Sequence, residues 1–207
     1  MVDDERRVGE EGARFERAIG AIDAANAEDP NVVVVRGRRG PKELLHAELV
    51  TDWLGRLAPD ADDALRLAAR GHHLRRWAIP RTSYPAGRAG YLRWRRAQHD
   101  ELSRTLGGML ETAGYAPDTV ARVQALVTKR NLGRDADAQV LEDALCLVFV
   151  ETQFHDLAAR LDRPKMIDVV RKTVRKMSPR GVELAAGLEL TDDDRALLTE
   201  ALAGSSG

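Results

Sequence analysis

Residues 135–161, DADAQVLEDALCLVFVETQFHDLAARL, are apolar almost all the way round a helical wheel at their middle. A helix hydrophobic on one face packs on a surface, whereas one hydrophobic on all faces is surrounded. This stretch therefore predicts a long buried helix near 136–160 and, with it, a fold built of helices. The flanking segments agree. GARFERAIGAIDAANA carries Phe15, Ile19 and Ile22 on one stripe, with alanines between them. Pro41 opens PKELLHAELVTDWLGRLA, where proline suits a first helical turn. APDADDALRLAARGHH begins with acids that suit a helix N-terminus. AIPRTSYPAG at 78–87 is a Pro/Gly loop, and a long helix is expected from Ala89 to Thr112. APDTVARVQALVTKR, KMIDVVRKTVRKM and TDDDRALLTEAL read as further helices. Only NVVVVRGRRG, at 31–40, is strand-like, so the fold class is all-α with at most one short extended or hairpin segment there. Residues 1–12 read as a charged flexible tail, 13–203 as a single helical domain and 204–207 as a second flexible tail.

Composition removes several function classes. The 207 residues carry a net charge of −1, so no global field draws the chain to nucleic acid or membrane, and anion binding needs a local patch. The N-terminus is too polar for a signal peptide, and no apolar run has the length of a membrane span. One cysteine, Cys146 in ALCLVFV, allows no internal disulfide and reads as a buried thiol. The expected compartment is cytoplasmic. VVVVRGRRGPKE lacks the spacing of a phosphate loop, and Pro41 removes an amide such a loop would use. No dinucleotide glycine fingerprint and no Ser-His-Asp or Cys-His arrangement is present.

The histidines sort by helical face. His46 shares a face with Leu49, Val50, Trp53 and Leu57 and points inward. His99 shares one with Leu92, Leu102, Leu106 and Met109. His72 and His73 close a third helix. Asp143 lies in the all-apolar helix, where a carboxylate must be paired, hydrogen-bonded or metal-bound. A lone inward histidine is more often a hydrogen-bonded core residue than a ligand. Two inward histidines, a vicinal pair and a buried Asp point together to a divalent metal such as Zn, Mn, Fe, Ni or Co. His155 reads as a solvent-edge residue.

The order His46, then His72-His73, then Asp143 resembles the HD superfamily of metal-dependent hydrolases. There, a His on one helix, a His-Asp pair ending another and a later Asp in an apolar helix bind the metal. The resemblance implies an HD-like helical bundle with His46, His73 and Asp143 as ligands, His72 beside them, and His99 as an extra ligand of the kind seen in two-metal members. It departs from the family at the dyad: either His73 stands where the Asp should be, or Leu74 does. Glu142 or Glu48 is then the candidate proton-handling carboxylate. The phrases PKELLHAELVTDWL, HLRRWAIPRTSYPAGRAGYLRWR, LEDALCLVFVE and RKTVRKMSPRG are also similar to a family described as a domain of unknown function, over most of residues 13–187.

Around the histidines, residues 70–96 hold eight arginines and no acid. Arg75, Arg76, Arg81 and Arg88, with Tyr84, are expected to bind an anionic substrate, and Lys172, Arg175 and Lys176 form a second basic run. Arg76 and Arg81 are expected to line the pocket, Arg95 and Arg96 to face solvent. The expected function is a metal-dependent phosphohydrolase of a small phosphorylated compound, a nucleotide among the candidates. The alternatives are an HD-like iron oxygenase or lyase at the same ligands, and a non-catalytic nucleotide- or RNA-binding module.

Overall fold

The computed structural model describes residues 2–130 and 132–203, and the expected tail at 204–207 lies outside them. Their order is α1 (Val2–Ala27), β1 (Val32–Val35), β2 (Arg38–Pro41), α2 (Lys42–Leu57), α3 (Asp63–Gly71), α4 (Gly87–Ala113), α5 (Pro117–Val127), α6 (Ala136–Thr152), α7 (Phe154–Ala158), α8 (Arg163–Val174), α9 (Pro179–Ala186) and α10 (Asp192–Ala203). Two short 3-10 turns, Arg76–Ala78 and Arg81–Ser83, interrupt the loop before α4. The fold is all-α with one small hairpin, as the sequence implied. Among the described residues, no helix is long and apolar enough to cross a membrane.

Where the sequence suggested one domain over 13–203, the chain divides into two compact units. The first is Met1–Thr51 with Asp60–Asn131; the second is Asp52–Pro59 with Leu132–Gly207. In the first, α3 and α4 pack on α5, and α1 packs on both α3 and α4. Ile22, Val50, Leu67, Leu106 and Val123 are wholly buried there. Gly71 sets the close approach of α3 to α4, because a Cβ there would lie 2.8 Å from Leu106 Cδ2. In the second unit α6 is the most buried helix. Val150, Phe154, Met166, Val170 and Leu198 form its neighbouring core with α8 and α10.

Three expectations are corrected. The charged stretch 1–12 enters α1, which runs from Val2 to Ala27. Pro41 closes β2 rather than opening the helix. The first turn of α2 is held by Asp29, whose Oδ2 accepts from Glu43 N at 3.0 Å. The helix expected over 136–160 breaks at Gln153 into α6 and α7. Thr152 Oγ1 donates back to Val148 O at 2.7 Å, a bond that bends helices. In the hairpin, Arg36 and Gly37 are both left-handed (φ 49° and 74°), which a two-residue turn of this hand demands.

Candidate functional site

The first unit brings three histidines into contact. His46 comes from the second turn of α2. His72 is the C-cap of α3, and His73 follows it. The His46 and His73 rings stack with centroids 4.2 Å apart and planes 12° apart; His72 stacks on His73 at 4.7 Å and 27°. Glu43 lies one turn before His46 on α2, and its Oε2 is 3.1 Å from His73 Nδ1. Glu43 is buried, and so is Asp29, which accepts from Asn31 N and Nδ2 as well as from Glu43 N.

Burial controls the charge of this cluster. It lowers His46 to about 4, helped by the positive charges of Arg76 and Lys42. His72 is held well below its usual value by burial, then by Lys129 and His46; His73 by burial, then by His46 and His72. His99 is lowered by burial, Arg95, Lys129 and Arg76, so it stands in the same electrostatic neighbourhood. Burial raises Glu43 to about 7 against the opposing pull of Lys42 and Arg76. Near neutral pH the imidazoles are therefore uncharged and the carboxyl beside them is poised to take or give a proton. Neutral imidazole is the form that ligates a metal. Two ring nitrogens, His46 Nε2 and His72 Nδ1, are buried with no hydrogen-bond partner among the described residues. Such atoms are costly unless something else binds them. Among the described residues, no group of three or more His, Cys, Asp or Glu side chains is arranged to close around a metal ion by itself.

Arg76 stands beside the cluster. Its guanidinium is 5.1 Å from the Trp94 ring centroid, and its charge is felt by His46, His72, His73 and His99. Gln98 Nε2 ties the Arg76 carbonyl to α4 at 2.8 Å. Among the described residues the Arg76 side chain has no acidic partner in contact. Lys129, in the left-handed region at φ 57°, supplies a second positive charge to His72, His73 and His99.

The other expected site residues are placed as follows. Arg81 turns its guanidinium onto its own loop. Its Nη1 donates to Tyr84 O at 2.9 Å and its Nη2 to Pro85 O at 3.0 Å, meeting the need of these loop carbonyls for a donor. Tyr84 is half-buried and serves that loop through its carbonyl. Arg75 is left-handed (φ 50°), with its amide on Asn26 Oδ1 at 3.1 Å and Nη2 3.9 Å from Glu28. Arg88, Arg95 and Arg96 are exposed. Glu48 pairs with Arg38 at 2.7 Å, and Glu43 is the carboxylate that reaches the histidines instead.

In the second unit, Asp143 is satisfied within its own surroundings. Its Oδ1 accepts from Ser178 N at 2.8 Å and Gln139 Nε2 at 3.1 Å, and its Oδ2 accepts from Ser178 Oγ. Gly181 permits this, since a Cβ there would lie 2.8 Å from the Asp143 carboxylate. Asp143 thus fixes the start of α9. Glu142 is buried with Lys176 Nζ 3.7 Å away. Lys172 pairs with Asp168 at 2.5 Å, and Arg175 is exposed at the end of α8. His155 is exposed, with Nδ1 2.9 Å from buried Asp194.

Glu43, Asp29 and Lys129 are the neighbours that sequence reasoning missed. For Glu43 a signal existed: it stands three residues before His46, on the same helical face. Asp29 and Lys129 lie in loop segments whose placement no periodicity reports.

Residues 16–198 match a family described as a domain of unknown function, DUF4202. The chain belongs to this family. No curated protein and no solved structure matches it. The match spans the histidine cluster of the first unit and Asp143 of the second, and the family's description assigns neither of them a role.

Proposed function

We propose that this member of the DUF4202 family is a metal-dependent phosphohydrolase, acting on a small phosphorylated compound at the histidine cluster of its first unit. The observation that carries the reading is the pair of buried, unpartnered nitrogens, His46 Nε2 and His72 Nδ1. Both belong to imidazoles that burial keeps uncharged, and a divalent ion such as Zn, Mn, Fe, Ni or Co fits such donors. Once bound, the ion supplies Lewis-acid charge for a phosphoryl oxygen and a water of lowered pKa. His46 and His72 would hold it, with solvent or substrate oxygen completing its shell.

The chain's own residues account for the rest. Arg76, which has no acidic contact among the described residues, offers its planar fork to the phosphate and meets the charge that develops on it. Glu43 takes or gives a proton through His73, which it contacts at 3.1 Å. Its value of about 7 matches a group that must change protonation near neutral pH. Asp143 is not needed, since both its oxygens are already engaged by Ser178 and Gln139.

The test is phosphate release from a panel of phosphorylated small molecules, nucleotides and sugar phosphates included. The chain would be stripped with chelator and reloaded in turn with each of the five ions. The proposal expects one ion to restore hydrolysis that chelator abolishes, and Glu43→Gln to lower kcat with little change in KM. Hydrolysis indifferent to chelator, or none with any ion, would overturn it.

A further inference from the structure

We propose that the N-terminal half of α4 is a docking face for single-stranded nucleic acid. This face borders the histidine cluster, since the Trp94 ring also lies 5.1 Å from the Arg76 guanidinium, but the inference does not depend on a bound metal. Arg88, Leu92, Arg95 and Arg96 fall at spacings of four, seven and eight along the helix, so they share one face. All are exposed, Leu92 at 52 %. Arg93 is exposed beside them. Among the described residues neither Arg88 nor Arg93 contacts an acid, and Arg96 reaches Asp100 only at 3.8 Å with both side chains largely in water. A solvated helix face normally alternates its charges. Here no acid occurs from Arg70 to Arg96, in a chain whose net charge is −1. The positive charge is therefore concentrated on this face rather than inherited from the whole molecule.

The aromatic residue selects the occupant. Tyr91 flanks the arginines and is 43 % exposed, a large ring left open to solvent. It is steadied from within the helix. Arg95 lies 6.0 Å from its centroid, and the Trp94 ring lies 5.9 Å away at a 39° tilt, itself fixed by Trp94 Nε1 donating to Ile79 O at 2.9 Å. An exposed ring held by its neighbours, beside Arg88 and Arg93 with no acid in contact among the described residues, suits a strand that presents phosphates to the cations and an unstacked base to the ring. A duplex keeps its bases stacked away from such a ring. A membrane surface would engage the arginines equally but would draw its affinity from insertion, for which Tyr91 and Leu92 are the only large exposed apolar residues on this helix.

The experiment is fluorescence anisotropy of the full chain with labelled twelve-residue oligouridylate and oligothymidylate, in chelator, over a salt series. The expected result is salt-dependent binding of at least one strand, with log K falling by roughly 0.7 per phosphate engaged for each tenfold rise in salt. Arg88→Ala and Arg95→Ala should each flatten that slope by about 0.7. Tyr91→Ala should weaken binding roughly 5- to 100-fold while leaving the slope alone. Arg163→Ala, which breaks the exposed pair with Glu200 in the second unit, should change nothing. All these side chains are exposed, and circular dichroism of each variant checks that it folds. Absence of binding at low salt overturns the proposal. So does an unchanged slope in the arginine variants, an unchanged affinity in Tyr91→Ala, equal binding of a duplex, or binding to vesicles with anionic lipid in place of the oligonucleotides.

Discussion

Replacing Glu43 by Gln removes the ionisable carboxyl that touches the histidine stack through His73, and its effect should depend on pH in a calculable way. Glu43 is raised from its ordinary 4.5 to about 7 by burial, and its side chain is only 5 % exposed, so solvent screening discounts little. A raised folded value means that the protonated form is the one the fold prefers. The stabilisation is complete below 4.5 and is lost as pH climbs to 7. A difference of about 2.5 units corresponds to roughly 3 kcal/mol lost across that window. His46 opposes it. Lowered from 6.5 to about 4, it favours its neutral form, and its contribution is lost as pH falls from 6.5 to 4. In the wild type the two trends largely cancel between 4.5 and 6.5. Glu43→Gln keeps only the histidine trend, so its stability relative to wild type should rise by about 3 kcal/mol from pH 4.5 to 7. Urea unfolding in chelator at four pH values measures this, with amide exchange in α2 as the local readout. A difference between variant and wild type that does not change with pH would refute the burial argument for Glu43.

Asp143→Ala should cost about 2–3 kcal/mol by leaving Ser178 and Gln139 without their charged acceptor. The loss should appear first as faster amide exchange at the start of α9. Arg81→Ala should release the loop carbonyls of Tyr84 and Pro85, seen as increased proteolysis between residues 80 and 88, with phosphate or nucleotide affinity unchanged. Arg76→Ala should instead weaken phosphate or nucleotide binding about ten- to a hundredfold in calorimetry, the value of one charge-assisted contact.

The fold was legible where periodicity reports burial. The stripe of Phe15, Ile19 and Ile22, the face of His46, and the all-apolar middle of 135–161 each marked a helix, and NVVVVRGRRG marked the hairpin. The break at Gln153 was not legible, because a back-bonding Thr152 leaves the apolar pattern running on. Of the candidate site, inward faces and a helix end pointed to His46, His72 and His73, whose rings stack, but the same reading grouped Asp143 with them. The use Arg81 makes of its side chain was not legible. A side chain that ties its own loop and one that binds a phosphate have the same sequence signature, and only the positions of the Tyr84 and Pro85 carbonyls separate them. Asp143 shows the same ambiguity. A carboxylate in an apolar helix must be satisfied, and its partners Ser178 and Gln139 answer that need with hydrogen bonds. Glu43 was hidden by its ordinary place in a first turn, where acids are common for reasons of the helix dipole.

The measurement that bears most directly on the histidine cluster is calorimetric titration of zinc and manganese into the chelator-stripped full chain, alongside His46→Ala, His72→Ala and His155→Ala. The account predicts saturable binding of at least one ion by the wild type, loss of that binding in His46→Ala and His72→Ala, and no change in His155→Ala, whose ring is exposed in the other unit. Binding that survives both cluster substitutions, or a wild type that takes up neither zinc nor manganese, would contradict it.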